Sequence, residues 1–218
     1  MSRPDIAELP DLLRIALAWS KPPDRPAWHA VFALDTHMAA LVRGASEPML
    51  GQIRLAWWRD RLTEAPATWP KGNPVLSLLA QAWGEQAVEL APLVDGWEHL
   101  LVEKLTPEDI EAFAAGRAAA MAALCRKLGQ PDAQEAVGRS GRRWALADLA
   151  TNSADPGERD AALQLAQGAG QPAILPRAMR PLAILDGLAR RSLAAHGAPL
   201  FGGRRAALTA LRLGMFGR

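Results

Sequence analysis

Four short stretches of this chain carry the signals of a helix start, and none carries the signals of a strand. Ser46-Glu47-Pro48, Asn73-Pro74, Thr106-Pro107-Glu108-Asp109 and Gln130-Pro131 each set a capping side chain or a first-turn proline ahead of an apolar-periodic run. Proline has a helical φ and lacks an N–H that the first turn could not use, so here it marks a beginning. Thr106 and Asp109 have capping-box spacing, with Asp in the usual place of Glu. Between these signals alanine and leucine dominate, tyrosine is absent, and no alternating β-branched run is bounded by turns. The pattern predicts an all-α chain with helices near 6–19, 25–43, 47–63, 74–87, 91–104, 107–128, 132–151, 157–168, 176–195 and 204–215.

Connections between these segments are short and rich in Pro and Gly. The sharpest break, "WPKGNP" at 69–74, is a turn too short to separate domains. Residues 1–218 therefore read as a single-domain helical bundle of nine or ten helices. Half the chain is hydrophobic and 22% is charged, a composition that excludes a disordered protein. No run approaches the ~18 apolar residues of a membrane span. The N-terminus shows no secretory pattern, so a cytoplasmic location is expected, with room for peripheral attachment to the inner face of a membrane. The single Cys125 allows no internal disulfide, and no Cys/His cluster has zinc spacing.

Charge is uneven along the chain. Residues 170–218 hold eight arginines against one acid, Asp186, or +7; with the whole chain at +2, residues 1–169 carry −5. Such a tail suits an anionic partner, or else docks on the acidic remainder of its own fold. Its end, "FGGRRAALTALRLGMFGR", forms a basic amphipathic tail over 201–218. There Arg204, Arg205 and Arg212 accompany Leu208, Leu211, Met215 and Phe216, a set suited to an anionic membrane surface or to packing on the bundle. No recognised motif interleaves with the arginines, so nucleic acid is not an expected partner.

The densest motif is "SEPMLGQIRLAWWRDRL" at 46–62, which puts Arg54, Trp57, Trp58, Arg59, Asp60 and Arg61 on one helix. At ~100° per residue, Met49, Ile53, Ala56 and Trp57 form an apolar stripe that Trp58 and Leu62 widen. Arg54 and Trp58, one turn apart, are placed for a cation–π contact.

Together with the preceding helix, "HAVFALDTHMAALVR…EPMLGQIRLAWWRDRL" resembles the squalene/phytoene synthase family, most specifically over 28–62 and more loosely from 20 to about 195. The likeness is to the branch that includes bacterial proteins and the mitochondrial complex I assembly factor. The resemblance implies an isoprenoid-synthase helical fold, and an ancestry among enzymes that join two isoprenyl diphosphates head to head. Catalytic members carry Asp-Asp-x-x-Asp on the first of these helices. Aligned on Val31-Phe32-Ala33-Leu34, the three acids fall at Ala39, Ala40 and Arg43.

Carboxylates one turn apart on a helix face can hold Mg²⁺ and bridge it to a diphosphate. Alanine offers no oxygen, and Arg43 opposes a cation. Asp35 stands one turn before Ala39, alone. The second acid-rich helix implied by the resemblance should precede "ILP" at 174–176. The stretch 138–160 there holds Asp148, Asp155 and Asp160, with Asn152 and Pro156 near the expected pair. Asp148 is placed to pair with Arg142 or Arg143, or to face solvent.

These residues lead to a non-catalytic squalene/phytoene synthase-like protein without cofactor, which binds a prenyl or lipid-like ligand or a protein partner at a membrane surface. Arg43, Arg54, Trp57, Trp58 and Arg59 are the cavity candidates, since guanidinium groups grip phosphate oxygens without metal. Their alternative is pairing with Glu47, Asp60 and Glu64 on nearby turns. The rival reading is an active prenyl transferase with a rearranged Mg²⁺ site at Asp35, Asp148 and Asp155.

Overall fold

The computed structural model describes residues 9–217, apart from the side chains of Arg204, Arg205 and Phe216. Ten α-helices run through them in order: α1 Asp11–Ala18, α2 Arg25–Arg43, α3 Pro48–Thr63, α4 Pro74–Ala82, α5 Ala91–Glu98, α6 Pro107–Lys127, α7 Gln134–Asn152, α8 Pro156–Gln167, α9 Arg180–Ala194 and α10 Gly203–Phe216. No strand occurs among the described residues. The expected helices over 74–87 and 91–104 end early, at Ala82 and Glu98, and continue as tighter 3-10 turns at Gly84–Leu90 and His99–Leu101.

Local signals act where the sequence placed them. Asn73 accepts from the N–H groups of Val75 and Leu76 at 3.0 and 3.1 Å, capping α4. Thr106 and Asp109 form the reciprocal box that starts α6, each side chain accepting from the other's backbone N–H at 3.2 and 3.1 Å.

At the centre, α6 and α7 pack along each other. The α5 helix lies on α6, while α8 and α9 lie on α7. The α2 helix packs against α4 and α5, α3 against α5, and both α1 and α10 against α9. Small residues set the closest approaches: a Cβ on Gly116 would lie 2.9 Å from the Cα of Gly96, so α5 and α6 touch backbone to backbone. Aromatic side chains fill the wider gaps. Trp28 and Phe32 of α2 meet in a tilted contact at 5.2 Å between centroids, and Phe32 meets Trp144 of α7 edge-on at 6.2 Å. The buried indoles of Trp28 and Trp83 donate to the carbonyls of Ala178 and Ala27 at 3.1 and 3.3 Å, so the rings are sequestered without leaving these N–H groups unpaired.

The face of α3 differs from expectation. Its buried side is Gly51, Leu55, Trp58 and Leu62, whereas Met49 and Ile53 are 70% and 60% exposed and Trp57 is also exposed. Gly51 lies on the inward side, where a Cβ would stand 2.6 Å from Leu101 Cδ2. The cation–π partner of Trp57 is Arg61, at 5.7 Å, in place of the expected Arg54–Trp58 pair.

Three of the tail's arginines find their partners within the tail itself. Arg180 donates to the Leu213 carbonyl, Arg191 to those of Pro199 and Leu200, and Arg190 lies 3.3 Å from Asp186. Asp186 also accepts from Arg143 of α7 at 2.7 Å, so the one acid of the tail fastens α9 to α7. Burial pushes the Asp186 carboxyl above its ordinary value, against the pull of Arg143 and Arg190.

A candidate cavity closed by a buried Asp–Arg–Asp bridge

Between α1, α2, α5, α6 and α7 the bundle leaves a cavity of about 550 Å³. Its apolar wall includes Leu12, Leu13, Val42 and Leu149, and the loop before α10 adds Leu200 and Phe201. On its polar side α2 presents Asp35 and Thr36, α6 presents Arg117, and α7 presents Asp148 and Asn152.

Arg117 is the centre of this wall. It is 2% exposed and Asp35 4%, and the two form a bidentate pair, Nε to Oδ1 at 3.2 Å and Nη2 to Oδ2 at 3.0 Å. The third guanidinium nitrogen, Nη1, donates to Oδ2 of Asp148 at 2.9 Å. The Trp97 indole completes the cage by donating to Asp35 Oδ1 at 2.8 Å. Aromatic faces surround the guanidinium, with centroids 4.3 Å away at Trp144, 4.9 Å at Phe113 and 5.3 Å at Trp97. One arginine thus ties α2, α6 and α7 together while every one of its nitrogens is used.

Electrostatics follow from that geometry. Burial pushes the Asp35 carboxyl above its ordinary value, against the downward pull of Arg117 and of the Trp97 N–H. Burial also opposes the charge of Arg117, but Asp35 and Asp148 outweigh it and hold the guanidinium above its ordinary value. Such a bridge confers geometry more than stability, because desolvating the charges offsets much of their attraction.

The residues named from the sequence are only partly brought together. Ala39 lines the cavity, Arg43 lines its rim and is exposed, and Ala40 points to solvent. Arg54 is exposed on α3, and Arg59 is held by Asp95 and Glu98 of α5, so no three-arginine anion site assembles. Neither Trp57 nor Trp58 lines the cavity: Trp58 is buried against His37, 4.8 Å between centroids. Neither Arg142 nor Arg143 takes Asp148, since Arg142 pairs with Glu111 at 2.6 Å and Arg143 with Asp186. Sequence reasoning missed Arg117, although a signal existed. It is the lone charge in "FAAGRAAAMAAL", residues 113–124, where a small-residue helix buried on most sides must find a partner for any ion.

The rearranged Mg²⁺ set fails for a physical reason. Asp35 and Asp148 already hold a guanidinium, and Asp155 caps α8 by accepting from the Glu158 N–H at 3.0 Å. No group of three or more His, Cys, Asp or Glu side chains among the described residues is arranged to hold a metal ion. The residues present do not fit Mg²⁺, which needs several oxygens in octahedral array.

The squalene/phytoene synthase family matches residues 15–171, which is most of the chain. This chain belongs to the squalene/phytoene synthase family. No curated protein and no solved structure matches it. In this member of the family the polar side of the cavity stands on α2, α6 and α7, and among the described residues no side chain of α3, which carries four of the five cavity candidates, lines it. Within it, a protein cation joins the facing carboxylates.

The tail of this family member packs on the bundle. Ala206, Ala210 and Leu213 of α10 are buried with Ile184 and Leu188 of α9, while Leu208, Leu211, Met215 and Arg212 face outward. Arg204, Arg205 and Phe216 fall on the same helix, and their side chains lie outside the described residues. No helix among the described residues is long and apolar enough to cross a membrane.

Proposed function

We propose that this protein is a non-catalytic squalene/phytoene synthase family member that holds a prenyl or other lipid-like molecule in its cavity and works at a membrane surface. The observation that carries the reading is Arg117, whose guanidinium occupies the space between the carboxylates of α2 and α7. Ionising an allylic diphosphate requires its leaving charge to be neutralised by a metal or by free donors. Here the donors of Arg117 are spent on Asp35 and Asp148, and Ala39 supplies no ligand. The outward face of α10 supports the second half of the reading, because Leu208, Leu211 and Met215 beside Arg212 match an anionic lipid surface in both polarity and charge. On this reading the chain stands with the assembly-factor branch of the family, and a membrane protein complex is the partner its cargo would serve.

Purified protein incubated with farnesyl diphosphate and Mg²⁺ should release no diphosphate above a protein-free blank. Release that disappears in Asp35→Asn would overturn the non-catalytic reading in favour of a metal-dependent transferase. With phosphatidylcholine vesicles containing phosphatidylglycerol, the protein should sediment at low salt and progressively less as salt rises. Failure to sediment at low salt removes the membrane surface from the proposal.

A further inference from the structure

We infer that the cavity selects an elongated apolar molecule whose head is uncharged and donates a hydrogen bond, such as a long-chain alcohol, and that it discriminates against the same chain carrying a phosphate. The inference rests on the cavity being a ligand site, as proposed above.

Among the described residues, three carboxyl groups line the cavity, those of Asp35, Asp148 and Glu158, against two guanidiniums, Arg43 and Arg117. Charge alone therefore disfavours an anion, and the hydrogen-bond inventory disfavours it further. Arg117 has each nitrogen engaged by Asp35 or Asp148. The Thr151 hydroxyl donates to the Ala147 carbonyl at 2.8 Å, the Ser153 hydroxyl to Glu158 at 2.7 Å, and the Asn152 amide to Asp148 at 3.1 Å. Thr36 Oγ1 and Trp144 Nε1 have no partner among the described residues, but both atoms are shut off from water. Arg43, at the exposed rim, is the remaining charged donor among the described residues.

Acceptors, in contrast, are in surplus. An ionised carboxylate has about four lone-pair sites. Asp148 fills two of them, with Arg117 and Asn152, and its side chain is 26% exposed. Glu158 fills two, with the Leu105 N–H and Ser153. A hydroxyl head donates a hydrogen bond to such a surface, whereas a phosphate, with about −1.5 to −2 charge at neutral pH and chiefly acceptors, meets carboxylates. The apolar wall and the volume of about 550 Å³ suit the chain, within the ~300–1,000 Å³ of small-molecule sites.

The test uses one tail with two heads, dodecanol and dodecyl phosphate, titrated calorimetrically into the purified protein, the alcohol below its solubility limit and the phosphate below its micellar concentration. Dodecanol should bind at least about tenfold more tightly, a difference of ~1.4 kcal/mol. Asp148→Asn and, separately, Glu158→Gln should each narrow the gap by about threefold or more, because each removes one repelling charge. Phosphate binding that equals or exceeds alcohol binding in the unmodified protein overturns the head-group inference, and its loss in Arg43→Gln would identify the rim as the anion site. If neither molecule binds, the ligand reading itself falls. The comparison of heads in the unmodified protein stands whether or not a variant folds.

Discussion

Replacing Arg117 by methionine keeps most of the side chain's length and removes its charge, so the consequence is set by what is left behind. Asp35 would remain 4% exposed with one donor, the Trp97 indole, where it now has three hydrogen bonds. Asp148 is partly exposed and can turn to water. Removing one partner of a buried ion pair costs about 3–5 kcal/mol, chiefly as the penalty of the uncompensated charge. Loss of the cation–π contacts with Trp144, Phe113 and Trp97 adds about 0.5–2 kcal/mol, and methionine recovers part of that by packing on the same rings. The stranded charge therefore dominates. Against a typical total of about 5–15 kcal/mol for a domain, the loss is severe.

The pH dependence of that loss identifies its origin. The Asp35 carboxyl is already raised by burial, and without Arg117 it rises further, so the folded variant binds a proton more tightly than the unfolded chain. Its stability then falls as pH rises from the ordinary carboxylate range through the raised folded value, and acidification recovers part of the deficit. Urea denaturation at pH 7 and pH 5, with midpoint and slope compared, measures both effects. Arg117→Met/Asp35→Leu should recover most of the loss, because neither charge remains unpaired. A deficit under about 1 kcal/mol for Arg117→Met at pH 7, or a double variant that merely sums two single losses, would refute the account of a buried bridge.

Two further outcomes follow from the fold. Gly116→Ala pushes a methyl into the backbone of α5 near Pro92 and Gly96 and should destabilise by about 1–3 kcal/mol; an unchanged melting midpoint would show that α5 and α6 are not so close. Burial lowers both His29 and His37 below the ordinary histidine value of 6.5. The unfolded chain then binds protons first as pH falls, so the contribution of these rings is complete above that value and declines below it. His29→Gln/His37→Gln should flatten the stability profile just below pH 6.5, and an identical slope in the double variant would contradict this.

Prediction and structure agree where the cause is local. Capping by Asn73 and the Thr106–Asp109 box act within one turn, so the first residues of α4 and α6 were legible from neighbouring letters alone. The resemblance carried by the helices over 28–62 likewise led to the family, and to Ala39 on the wall of the cavity. Agreement fails where the cause is a distant partner. Arg59 finds Asp95 and Glu98, and Asp148 finds Arg117, across separations that no periodicity encodes. The buried face of α3 is a similar case, since its packing against α5 turns Leu55, Trp58 and Leu62 inward and leaves Met49 and Ile53 exposed.

By itself, then, the order of residues determined that this chain is helical, that it forms one bundle, and that Ala39, Ala40 and Arg43 stand in succession on the last turns of α2, because those properties depend on side-chain type and on spacing of a few residues. Only the packing of α2, α6 and α7 decided that Arg117 joins Asp35 to Asp148. The affinity of a buried charge depends on which opposite charges come within reach in three dimensions, and those come from helices far apart along the chain.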